Sequence, residues 1–106
     1  MVWSDSYGDL HKDNDTLGRA SEHRMAAMTG NVAWKDGFGR LYVDHNFLGN
    51  ASRYDIADRT GDVAWEDGYS RLYKNSNMVT QDYDYYELRF DGRLIWRDRS
   101  GNYHSY

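Results

Sequence analysis

Three residue types recur in this chain where side chains could do chemistry: Asp36 and Asp67, Arg40 and Arg71, Tyr42 and Tyr73, each pair 31 residues apart. A carboxylate can accept two sugar hydroxyls, a guanidinium adds directed donors, and a phenol ring offers an apolar platform. Together they meet the needs of a shallow glycan site, in which stacking holds the pyranose ring and polar neighbours orient its hydroxyls. His11 and His104 stand at the Tyr position in the first and last units. Each residue also has a plainer use. An Asp directly after a strand caps backbone N–H groups as an Asx-turn, and Tyr can form cross-strand pairs on a wet sheet face. The Trp column (Trp3, Trp34, Trp65, Trp96) shares its strand face with Val32, Val63 and Leu94, so core packing is favoured there over a sugar platform.

Other chemistry finds less support. His11, His23, His45 and His104 and several Ser are present, but there is no local nucleophile motif, no H-E-x-x-H and no phosphate-binding Gly loop. Asp82 and Asp84 are paired carboxylates, but as alternate residues of one strand they share a solvated face without the shielding that acid–base catalysis needs. The expectation is no enzymatic activity and no cofactor. The stretches DNDTLG and DHNFLG fit an oxygen-rich D-x-[DN]-x-x-G loop that could hold calcium, whereas the third copy, NSNMVT, loses both Asp and Gly. Turn chemistry is the favoured reading, and no metal is expected.

Composition narrows the partners. At 106 residues the chain suits one domain with a modest core, residues 1–106. Its net charge of -4, with no basic cluster, disfavours a nucleic-acid backbone. With no Cys there is no disulfide framework or thiolate site, and the compartment is left open. Apolar runs are short, so neither a transmembrane helix nor a secretory core is expected, and no membrane insertion. Ten Tyr and four Trp in a chain of mean hydropathy -0.96 suit small sheets with wet outer faces.

The chemical residues are placed by a repeat. A gap-free shift of 31 gives 12 identities between residues 1–31 and 32–62, and 11 between 32–62 and 63–93, against about two by chance. Each unit reads as three short strands: VAWKD, then RLYVD, then a third such as RYDIAD or YYELRF. The links Asp36-Gly37, Asp67-Gly68, Thr60-Gly61 and Asp91-Gly92 are hairpin turns, which makes the pairing antiparallel. Leu17–Met28 has helical propensity but aligns with the third strand and is read as strand. The units are about 1–31, 32–62 and 63–93, with a partial fourth at 94–106.

The stretch YDIADRTGDVAWEDGYSRLYKNSN resembles the repeat of bulb-type mannose-binding lectins, in which a strand, a D-G-type turn and two aromatic strands recur. That resemblance implies a β-prism of three four-stranded sheets, often with terminal strands exchanged between subunits. The family's sugar motif, Q-x-D-x-N-x-V-x-Y, is matched by no unit; ADRTGDVAW and LRFDGRLIW stand in its place, so no mannose site is carried over. A second resemblance is to FG-GAP and tachylectin-like propeller repeats, through TGD, WKDGFGRLY and DGRLIWRDRSG. Propeller blades are longer and four-stranded, so the prism ranks first. The expected fold is an all-β antiparallel repeat, β-prism-like, with small propeller-like closure or an oligomer-completed propeller as the alternative.

Both resemblances imply glycan partners. The expected function is a lectin-like module with repeated shallow glycan sites at Asp36, Arg40, Tyr42, Asp67, Arg71 and Tyr73. The alternative is a protein-binding or assembly module acting through aromatic faces and an edge strand. A strand count that leaves one unit open leads to an expected homo-oligomer, most simply a dimer held partly by residues 94–106.

Overall fold

Alternating apolar residues at Val32–Lys35 and Arg40–Val43, joined by a Gly-containing turn, form an antiparallel hairpin, and this hairpin is the centre of each repeat. The computed structural model describes residues 1–106 and contains fourteen strands and no helix. Four small antiparallel sheets follow one another in chain order, and none closes into a barrel. Sheet I holds β1 (Val2–Ser4), β2 (Asp9–Lys12) and β3 (Asp15–Arg19). Sheet II holds β4 (Glu22–Met25), β5 (Val32–Lys35), β6 (Arg40–Val43) and β7 (Asn46–Asn50). Sheet III repeats it with β8 (Arg53–Ile56), β9 (Val63–Glu66), β10 (Leu72–Lys74) and β11 (Asn77–Thr80). Sheet IV holds β12 (Tyr85–Leu88), β13 (Leu94–Arg97) and β14 (Tyr103–Ser105), so residues 94–105 pair with strands of their own chain.

The expectation of three strands per unit is corrected here, because the 31-residue period carries four. The strand missed at sequence level is β7, with its counterparts β3 and β11. It holds Phe47 and Leu48 side by side rather than alternating, contains Gly49, and pairs with β6 through a bulge between Leu41 and Tyr42, so period-2 counting passes over it. The stretch Leu17–Met28 is likewise two strands: Leu17–Arg19 ends β3, and Glu22–Met25 is β4 in the next sheet.

The supposed calcium loops are two-residue hairpin turns leading into these strands. Asp44 and Asn75 adopt the left-handed conformation (φ 52° and 54°), which Asp and Asn tolerate better than most residues. Their side-chain oxygens accept the Val32 and Val63 N–H groups at 3.1 and 2.9 Å. Their carbonyls accept the Trp34 and Trp65 indole N–H groups, both at 2.8 Å.

Packing explains why the strands are so apolar at their centres. Trp34 lies directly across from Tyr42, and Lys35 from Leu41, so Trp34 and Leu41 point to opposite faces of sheet II. Both are buried. Only a stack of sheets covers two faces at once. Val32 and Trp34 pack with Leu10 of sheet I, while Ala33 and Leu41 pack with Val63 and Trp65 of sheet III. Ala64 and Leu72 then meet Leu94 of sheet IV. The stack is elongated, 47 × 28 × 17 Å. Backbone bonds tie neighbouring sheets, from Met28 N–H to the Asp58 carbonyl at 2.9 Å and from Arg59 N–H to the Phe90 carbonyl at 3.0 Å.

Candidate functional site

The β5–β6 turn positions the first set of candidate residues by local bonds alone. Asp36 Oδ1 accepts the backbone N–H groups of Phe38 and Arg40 at 2.9 and 3.0 Å, and Oδ2 accepts Arg40 Nε–H at 2.5 Å. Asp67 repeats this with Tyr69, Arg71 and the Arg71 guanidinium at 2.8, 3.1 and 2.6 Å. The Asx-turn reading of the Asp column is therefore what the geometry shows, extended by an ion pair. Each Asp is buried and holds its Arg in place. The arginine Nη groups make no hydrogen bond within the chain, and each guanidinium lies 5.2 Å from the centroid of an exposed turn ring, Phe38 or Tyr69.

Sheets I and IV carry a variant of the same device. Asp5 Oδ2 lies 2.8 Å from His11 Nε2, and Asp98 Oδ2 lies 2.8 Å from His104 Nε2, with the Asp Oδ1 atoms again capping the turn.

Tyr42 and Tyr73 are not the open platforms that alternation suggested. Tyr42 stacks on Trp34 with centroids 4.4 Å apart, and Tyr73 on Trp65 at 4.0 Å, and both rings are half-buried. The physical reason is the stacking of sheets: the face away from Leu41 meets sheet I rather than solvent. Tyr73 OH donates to Asp67 Oδ2 at 3.1 Å, whereas the Tyr42 hydroxyl makes no such bond to Asp36.

Asp67, Arg71 and Tyr73 are thus joined within sheet III, whereas in sheet II only Asp36 and Arg40 are bonded to each other. What completes a site is the neighbouring sheet. Between sheets I and II lies a groove of about 850 Å³, walled by Leu17 and Gly18 on one side and by Trp34, Phe38, Arg40 and Tyr42 on the other. Trp34 reaches into it so closely that a Cβ on Gly18 would stand 2.7 Å from the indole. Sequence reasoning missed Phe38, Tyr69, Arg19 and His45. The aromatic column Tyr7, Phe38, Tyr69 was visible at the repeat offset, but nothing local reveals that Arg19 and His45 share a groove with Arg40.

The electrostatics of the Asp column give a testable pH dependence. Burial would raise the Asp36 carboxyl, but the Arg40 guanidinium and the Arg40 and Phe38 N–H groups outweigh it and hold the group below its ordinary 3.8. Asp67 is lowered in the same way: burial is outweighed by the Tyr69 N–H and by the Arg71 side chain and N–H. The His11 and His104 rings lower Asp5 and Asp98. A carboxyl lowered in the folded state stabilises the fold above its unfolded pKa, and that contribution is lost as pH falls through the folded value. The thermal midpoint should therefore drop below about pH 4. Asp67→Asn, which keeps an acceptor but does not titrate, should show a shallower acid decline than the parent chain. An identical acid slope in the two proteins would remove Asp67 from this account.

Comparison with protein-family models, curated proteins and solved structures finds no match to this chain.

Proposed function

We propose that this chain is a carbohydrate-binding repeat module whose sheets are propeller-like blades and whose saccharide sites are the grooves between them. The observation that carries the reading is the groove between sheets I and II. There a buried indole, a half-buried phenol and an exposed phenyl ring lie beside a guanidinium whose Nη donors are unengaged. Aromatic surface beside a few fixed polar groups suits a pyranose, which has an apolar C–H face and a rim of hydroxyls. The blade reading is supported by small antiparallel sheets, four-stranded in sheets II and III, that follow one another in chain order and pack face to face.

In this reading Asp36 and Asp67 orient their arginines, while Arg40, Arg71, Tyr42 and Tyr73 touch the sugar. Repetition along one body adds avidity to sites that are individually weak.

The test is a glycan array followed by calorimetry on the bound class. Arg40→Ala with Tyr42→Ala should weaken binding about tenfold or more, the loss expected when a charged hydrogen bond and a ring contact are removed. Unchanged affinity in a folded double variant would refute the site. Silence on the array together with a tight protein pulldown would favour the assembly alternative.

A further inference from the structure

The residues that line the groove between sheets I and II recur in large part at the 31-residue offset, and one of the differences removes a charge. At the 31-residue offset, Gly18, Trp34, Asp36, Arg40 and Tyr42 become Gly49, Trp65, Asp67, Arg71 and Tyr73, with Phe38 replaced by Tyr69. Two wall positions break the pattern. Arg19 becomes Asn50, and His45 becomes Ser76.

Arg19 and His45 form no ion pair within the chain. Asp9 stands across the β2–β3 ladder from Arg19 but makes no ion pair with it and does not line the groove. Asp36 is the one acid in the lining. Its oxygens already accept the Phe38 and Arg40 N–H groups and the Arg40 Nε–H. The groove therefore offers two guanidiniums and no free carboxylate, on a chain whose net charge is -4. An anion drawn here is held by local geometry, since the charge of the whole molecule repels it.

Resting on the glycan reading above, we infer that the groove between sheets I and II selects a carboxylate-bearing saccharide, of the uronic acid class, over its neutral counterpart. A planar carboxylate matches the paired N–H edge of a guanidinium, and Leu17, Gly18 and Ala20 leave the opposite wall apolar and open for the ring. The corresponding residues at the junction of sheets II and III, with Asn50 and Ser76 in place of Arg19 and His45, lack this preference.

The experiment probes the full chain at low salt on an array of matched neutral and uronate-bearing oligosaccharides, with dissociation constants then measured for the best matched pair. The acidic member is expected to bind about tenfold more tightly, the value of one added charge-assisted hydrogen bond. In Arg19→Asn/His45→Ser, which gives the groove the residues found at the same positions of the next repeat, the ratio of acidic to neutral affinity should fall to about one. Both positions are exposed, so an unchanged thermal midpoint verifies that the variant is folded. Equal binding of acidic and neutral sugars by the parent chain, or a preference that survives the double substitution, would overturn the inference while leaving the glycan reading standing. No binding to any glycan, neutral or acidic, would remove both.

Discussion

Trp65→Ala is expected to lower the unfolding free energy by about 3–5 kcal/mol, the range for deleting a large buried ring. The indole is 4% exposed and lies in the largest core cluster, with Val63, Leu41 and Ile56. Four separate contacts end at once. The ring stacks on Tyr73 at 4.0 Å and 7°, donates to the Asn75 carbonyl at 2.8 Å, fills the space over Gly49, and joins sheet III to sheet II. Trp3 is the internal control, because it has the same strand position and a stacked partner, His11, but is 44% exposed. Trp3→Ala should cost about 1 kcal/mol or less. Urea unfolding followed by circular dichroism measures both. Similar losses at the two positions would mean that burial between sheets is not what makes Trp65 important.

Gly49→Ala is expected to destabilise the chain by about 2–4 kcal/mol, although it adds a single methyl group. A Cβ at this position would stand 2.6 Å from the far edge of the Trp65 ring, well inside van der Waals contact. The ring cannot swing away, since its Nε1–H is anchored to Asn75 and its face to Tyr73. The backbone at φ 156° adds strain for any side chain. Gly37 tests whether Gly→Ala is costly in general: nothing lies within 4 Å of its Cβ position, so Gly37→Ala should change stability by about 0.5 kcal/mol or less. The chain offers a natural comparison. At the third junction the Gly column is Thr80, and Trp96 there is less buried than Trp34 or Trp65. If Gly49→Ala is neutral, the close fit of indole over glycine does not determine the spacing of the sheets.

Much of the fold was legible because it is local. The Asp36 turn is closed by bonds to residues two and four positions on, so its hairpin follows from a handful of neighbours. The strand β7 was illegible for the opposite reason. Its Gly49 makes sense only against a Trp 16 positions later in the next sheet. Among the candidate site residues, the turn-capping role of Asp36 and Asp67 was legible, whereas their ion pairs with Arg40 and Arg71, four residues on across the same tight turn, were not read from the sequence. Tyr42 and Tyr73 were assigned to solvent because alternation along a strand shows which residues share a face but not what covers that face.

By itself, then, the order of residues determined the 31-residue period, the all-β class, the antiparallel hairpins and the Asp-capped turns, since each depends on backbone preferences and bonds within a few residues. Only the tertiary structure decided that both faces of sheets II and III are buried, that Trp34 and Tyr42 stack beneath a neighbouring sheet, and that Arg19 and Arg40 line one groove. Those outcomes depend on contacts between successive repeats. A short strand carries no mark of which neighbour will exclude water from it, so its buried faces and its grooves are set by the stack and not by the strand.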